Sequence, residues 1–166
     1  MKLHGEWLVL AERVIRDAVT GNVTLVSCFS QVAALAFPSQ HHGFAVAVRY
    51  RCEGDAPARD TPVELRLVRC STADGEEVVQ EWHVEWPAGH RQLEVGTNFR
   101  VLRLRRAESV EFRVDSKVGR AGWRQGPTSV IEVVAMPITP EQRDQLTRAL
   151  ADKGLPADAL EGGGAG

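Results

Sequence analysis

Apolar side chains recur at every second position over much of this chain. Phe44, Val46, Val48 and Tyr50 alternate with Ala45, Ala47, Arg49 and Arg51. Successive side chains of an extended strand point to opposite faces, so this run predicts one face in a core and one partly charged. The pattern returns in Val63, Leu65 and Leu67 against Glu64 and Arg66, and in Val110, Phe112 and Val114 against Glu111, Arg113 and Asp115. Between them, Trp82, Val84 and Trp86 alternate with Glu81, His83 and Glu85. A parallel sheet covered on both faces would show continuous apolar runs, so these stretches read as half-buried antiparallel strands.

The spacing predicts strands over residues 7–16, 23–35, 43–52, 62–71, 77–86, 91–105, 108–116 and 128–136. Thr20-Gly21-Asn22 and Ala73-Asp74-Gly75-Glu76 supply turn residues for two hairpins. Loops are expected over 37–42, 53–61 and 117–127. Eight short strands with short connections favour an all-β, two-sheet antiparallel sandwich, although periodicity alone does not separate a sandwich from a barrel. After the last strand, Thr139-Pro140-Glu141-Gln142 forms a capping box with proline in the first turn, which predicts a helix over 140–152. Its apolar face is thin, mainly Leu146, Ala149 and Leu150, so it is expected on the sandwich edge or against a partner. The chain thus divides into a sandwich domain at 1–137, a C-terminal helix at 138–153 and a flexible glycine-rich tail at 154–166.

Composition narrows this picture. With 166 residues and 43% apolar content the chain can build one sizeable core. A net charge of −2 gives no overall attraction to phosphate backbones or anionic lipid, so neither nucleic acid nor a membrane is expected as a partner. The N-terminus lacks the apolar stretch of a signal peptide, and no segment reaches the roughly 18 apolar residues of a membrane span, which points to the cytoplasm. Cys28, Cys52 and Cys70 are odd in number and not closely paired, which fits reduced thiols. Arginine dominates over lysine, which occurs only at Lys2, Lys117 and Lys153; with many Ala, Gly and Val residues this is what GC-rich bacterial codons supply.

The candidate chemistry is thin. The histidines are His4, His41, His42, His83 and His90. A zinc site needs three or four ligands converging at about 2 Å, and no His-x-His, Cys-x-x-Cys or His-Glu-x-x-His occurs. No catalytic residue, metal ligand or cofactor is therefore expected. His83, on the charged face with Glu81 and Glu85, is the one histidine that with His90 would support a metal-dependent or hydrolytic enzyme. No nucleophile elbow is present, and the glycines from 119 to 126 lie between strands, unlike a phosphate cradle.

The loop from Lys117 to Gly126 is the best candidate for recognition. Arg120, Trp123 and Arg124 offer aromatic stacking plus anion contacts, a mixture enriched at binding hot spots, and are the expected partner-binding residues. The alternative is that Trp123 folds over one end of the sandwich and the arginines are solvated. Arg100, Arg103, Arg105 and Arg106, interrupted by Leu102 and Leu104, read as one exposed basic strand face. The Gly-rich end could thread a narrow site as ubiquitin-like modifiers do, but the strand pattern is far from a β-grasp and the chain does not end in Gly-Gly.

Residues 11–29, AERVIRDAVTGNVTLVSCF, followed by Phe37-Pro38, resemble a bacterial family of uncharacterised small β-sandwich proteins. There a strand ends in aspartate, a Thr-Gly turn follows, and a second strand leads to a Phe-Pro step. The sequence departs from that pattern at Asn22, where lysine is frequent, and in its helix and tail. The resemblance implies a sandwich fold but no activity. Physically, Asp17 can cap the turn, Gly21 can take positive φ, and Pro38 can stop a strand. The functional expectation is a non-catalytic cytoplasmic module that binds another protein, or a second copy of itself, through loops or edge strands. The alternatives are the enzyme using His83 and His90, and a component of a phage particle or antiphage system.

Overall fold

The computed structural model describes residues 1–19, 22–72, 74–137 and 139–152. Within them the alternating runs become nine strands: β1 (Lys2–Arg16), β2 (Val23–Cys28), β3 (Gln31–Ala34), β4 (Ser39–Glu53), β5 (Thr61–Ser71), β6 (Gly75–Trp86), β7 (Gln92–Leu104), β8 (Glu108–Val118) and β9 (Thr128–Ala135). A helix, α1 (Pro140–Asp152), follows. The strands form a four-stranded sheet, β2-β1-β4-β7, and a five-stranded sheet, β3-β9-β8-β5-β6. Their inner faces meet in one core, where Val46 is 1% exposed and Leu65 and Phe112 are fully buried, as the alternation requires.

Four expectations are corrected. The strand expected over 23–35 is two strands: β2 pairs antiparallel with β1, whereas β3 crosses to the other sheet and pairs parallel with β9. The backbone turns at Ser27, whose φ is +52°, and Phe29 packs on the core as the chain changes sheet. The other strand pairs among the described residues are antiparallel.

Second, β1 begins at Lys2 rather than near residue 7. Gly5 and a register shift before Trp7 hide its first residues from a period-two reading. Gly5 is required there because a Cβ would run into the Pro127 ring. Third, the loop expected over 37–42 is largely strand, because Ser39 to His42 pair with Leu104 to Val101. Fourth, β8 continues to Val118, into the loop expected from 117, and the rest of that loop is tied back by backbone hydrogen bonds in both directions between Ser116 and Arg124.

The turn chemistry is as read. The Val19 amide donates to Asp17 Oδ1 at 2.9 Å, and the Asp17 amide donates to the Asn22 carbonyl at 2.9 Å. Phe37 is buried, and β4 starts directly after Pro38. At α1 the Thr139 amide donates to Gln142 Oε1 at 2.9 Å and the Gln142 amide donates to Thr139 Oγ1 at 3.3 Å, a reciprocal capping box. Glu141, in the first turn, is held below the usual carboxylate range by its own backbone N–H and by Thr139. Gly21 and the glycine-rich tail lie outside the described residues.

Candidate binding edges

Two long strands border one side of the sandwich. Among the described residues β6 is an edge of the five-stranded sheet, paired only with β5, and β7 is an edge of the four-stranded sheet, paired only with β4. They run antiparallel and are tied at three heights. At one end Arg105 Nη1 donates to Asp74 Oδ1 at 2.6 Å. In the middle Trp82 Nε1 donates to Thr97 Oγ1 at 2.9 Å, and at the other end Trp86 Nε1 donates to the His90 carbonyl at 2.7 Å. Of the inward tryptophans of the β6 alternation, Trp82 therefore links the two edges and Trp86 holds the loop between them.

From Glu81 back to Gly75 the β6 edge is open to solvent, although Leu67 and Val68 opposite it on β5 are buried. Residues 75–81 are all exposed, including Val78 and Val79, and the β5–β6 register shifts there so that Val79 is an extra residue opposite β5. The edge is acidic: Glu76 pairs with Arg113, whereas Glu77, Glu81 and Glu85 have no ion pair among the described residues. On β7 the exposed Arg100 and Arg103 also lack an ion pair among the described residues, so the two edges carry opposite unpaired charge.

The residues expected to form a recognition loop are arranged differently. Trp123 is half-buried, lying back on the outer face of the five-stranded sheet. The Arg66 guanidinium sits 4.5 Å from its ring and Lys117 Nζ 5.7 Å. Its flanking residues Arg120 and Arg124 are exposed and are not its ring partners. Beneath this cover lies an ionic network. Arg66 donates to Asp115 Oδ2 from Nε at 3.1 Å and Nη2 at 3.0 Å, and Arg113 Nε donates to Asp115 Oδ1 at 2.7 Å. Asp115 is 1% exposed and Arg113 7%, so this charged strand face is covered. Asp115 first and Glu76 second push Arg113 above the usual guanidinium range. Cys70 is half-buried nearby, and burial raises its thiol pKa, with Arg113 opposing.

The histidines scatter. His83 is exposed on β6 opposite Glu64, and His90 lies in the β6–β7 loop with its Nδ1 3.0 Å from the Ala88 carbonyl. His41 is half-buried on β4 with Phe29 edge-on at 5.4 Å, and His42 is exposed. Among the described residues no three His, Cys, Asp or Glu side chains gather as a metal ion would require, and no helix is long and apolar enough to cross a membrane.

Sequence reading missed a polar groove of about 660 Å³ on the outer face of the four-stranded sheet, lined by Asn22, Arg51, His90, Arg91 and Glu94. Asn22, just before β2, lines one side of it. Asn98 on β7 holds the β1–β2 hairpin down by accepting from the Val14 amide at 2.8 Å and donating to the Val14 carbonyl at 2.9 Å. The groove's charges are largely engaged already: Arg51 with Glu6, Glu94 with Arg49, and Arg91 with the Gly54 carbonyl. No signal in the alternation marks Asn98 as a clamp.

A family of unknown function (DUF6941) matches residues 6–117 of the chain. Among curated proteins none matches. An immunoglobulin-like protein from Pseudomonas aeruginosa aligns over 80% of this chain and 97% of its own, at 15% identity and a TM-score of 0.36.

Proposed function

This chain belongs to the DUF6941 family of unknown function, and with no activity to carry over from it we propose a non-catalytic binding or assembly module that contacts another protein through the β6 edge. One observation carries the reading. β6 is a twelve-residue edge strand with one hydrogen-bonding side unpaired among the described residues, seven consecutive residues exposed and Val78 and Val79 in solvent. An edge of that length presents backbone donors and acceptors that another strand can complete, and its glutamates would select a partner strand of opposite charge. Trp123, Arg120 and Arg124 are then accessory: the tryptophan is engaged with Arg66 and Lys117, which leaves the two exposed arginines to contact a partner at the margin.

The test is site-specific photo-crosslinking of the full chain in its native host. A photoreactive residue at Val78 or Glu81 should yield a discrete adduct, and one at exposed Val130 on β9 should not. No adduct from β6, or the same adduct from both strands, would overturn the reading.

A further inference from the structure

We propose that the strand completing the β6 edge comes from a second copy of this chain: β6 of each copy pairs antiparallel with β7 of the other, about a two-fold axis parallel to the strands. The inference rests on the edge-binding reading above and names its partner.

Geometry favours the reciprocal arrangement. β6 and β7 are the long edges, of 12 and 13 residues, and the Trp82–Thr97 contact sets them on the same side of the sandwich. A rotation about an axis along the strands exchanges the two sheets across the interface while preserving strand direction. β7 of one copy then faces β6 of the other, and because β6 and β7 are antiparallel within a copy, the new pairs are antiparallel as well. The four-stranded sheet of each copy continues into the five-stranded sheet of the other. Each ladder would run at most about 40 Å at the usual strand rise, and because the Glu94 carbonyl of β7 already accepts from Arg16 at 2.8 Å, the new pairing centres on the half of the β7 edge that carries Arg100 and Arg103. The opposite edges, β2 and β3, have only 6 and 4 residues and offer much less.

Charge selects the same pairing. Asp74 meets Arg105 at one height and Trp82 meets Thr97 at another, which places Arg100 and Arg103 of β7 between the levels of Glu76 and Glu81. The rotation keeps these heights, so the unpaired Arg100 and Arg103 of one copy come beside the unpaired Glu77 and Glu81 of the other. Pairing β6 with a second β6 would instead set glutamates against glutamates, which is destabilising. The bulge at Val79 divides the free edge into two stretches without removing its charges from either.

Sedimentation equilibrium of the full chain tests this with charge reversal at exposed positions. The wild type should dimerise, more weakly as salt rises. Glu77→Arg with Glu81→Arg makes both edges basic, and Arg100→Glu with Arg103→Glu makes both acidic; each double variant alone should lose at least tenfold in dimer affinity. Mixed, the two should form a one-to-one heterodimer, and all four changes in one chain should restore the homodimer. A wild type that stays monomeric, or a dimer indifferent to both reversals, overturns the proposal. The crosslink at Val78 separates the two readings. An adduct of twice the 18.2 kDa chain mass supports self-pairing, an adduct with a different protein sinks self-pairing alone, and no adduct sinks both.

Discussion

Tyr50 on β4 donates its phenolic hydrogen across the sandwich to the carbonyl of Val114 on β8. The bond joins the two sheets at a point where both residues are essentially buried, 1% and 0% exposed. Gly126 completes the arrangement, since a Cβ there would collide with that same carbonyl and hydroxyl.

Tyr50 is the only tyrosine in the chain, so its ionisation can be followed alone by ultraviolet absorbance. Burial is the main cause that raises its pKa from the ordinary 10.0, with the nearby Asp115 charge adding and a hydrogen bond with Ser116 opposing. A raised pKa in the fold means the neutral form is favoured there. Its stabilising effect is complete below the unfolded value of about 10 and is lost as pH climbs above it. Native protein should show no tyrosinate near pH 10.5, and the signal should appear together with alkaline unfolding. Tyr50→Phe should cost about 1–3 kcal/mol in urea denaturation, because the Val114 carbonyl is left buried and unpaired.

Removing the charge at Asp115 should be among the most damaging changes in the five-stranded sheet. Its loss leaves the buried Arg113 with only the exposed Glu76 and frees Arg66, so Asp115→Ala should cost about 3 kcal/mol or more. Glu76, the other partner of Arg113, has a side chain 63% exposed, and Glu76→Gln should cost under about 1 kcal/mol. Equal losses in denaturant titrations would contradict the covered network.

Trp123→Ala tests whether the tryptophan is packed or free. Engaged with Arg66 and Lys117, it should contribute about 1–2 kcal/mol through stacking and cover, whereas Arg120→Ala should fall within about 0.5 kcal/mol of wild type. A thermally neutral Trp123→Ala would return the residue to the role of an unengaged contact.

Asn98→Ala removes both hydrogen bonds that hold Val14. Amide exchange should accelerate across the β1–β2 hairpin, residues 13–26, with little change in β5 or β8, because local opening needs to break only this clamp and the contacts beneath it. Uniform acceleration in both sheets would mean that the hairpin is not a separate unit.

The alternation was legible wherever a strand has one wet and one dry face. Val46, Leu65 and Phe112 all point inward as their spacing requires, and the capping box placed α1 from Thr139 and Gln142 alone. The candidate site was only half legible. The glutamates of β6 and the arginines of β7 stand out in the sequence, but their strands could be recognised as neighbouring edges only from the Trp82–Thr97 and Asp74–Arg105 contacts. Trp123 attracted notice as a loop aromatic, yet the residues that engage it, Arg66 and Lys117, lie on β5 and β8.

Period-two spacing, turn residues and helix caps are set within a few residues of chain, so the sequence by itself determined the all-β class, most strand positions and the C-terminal helix. Which strands lie at the edges, where the chain changes sheet after Ser27, and how Asp115 gathers Arg66 from 49 residues away depend on pairing between distant segments. Only the tertiary structure decided those, because hydrogen-bond ladders and buried charges are satisfied by whatever the fold brings alongside, and no local pattern records which neighbour that will be.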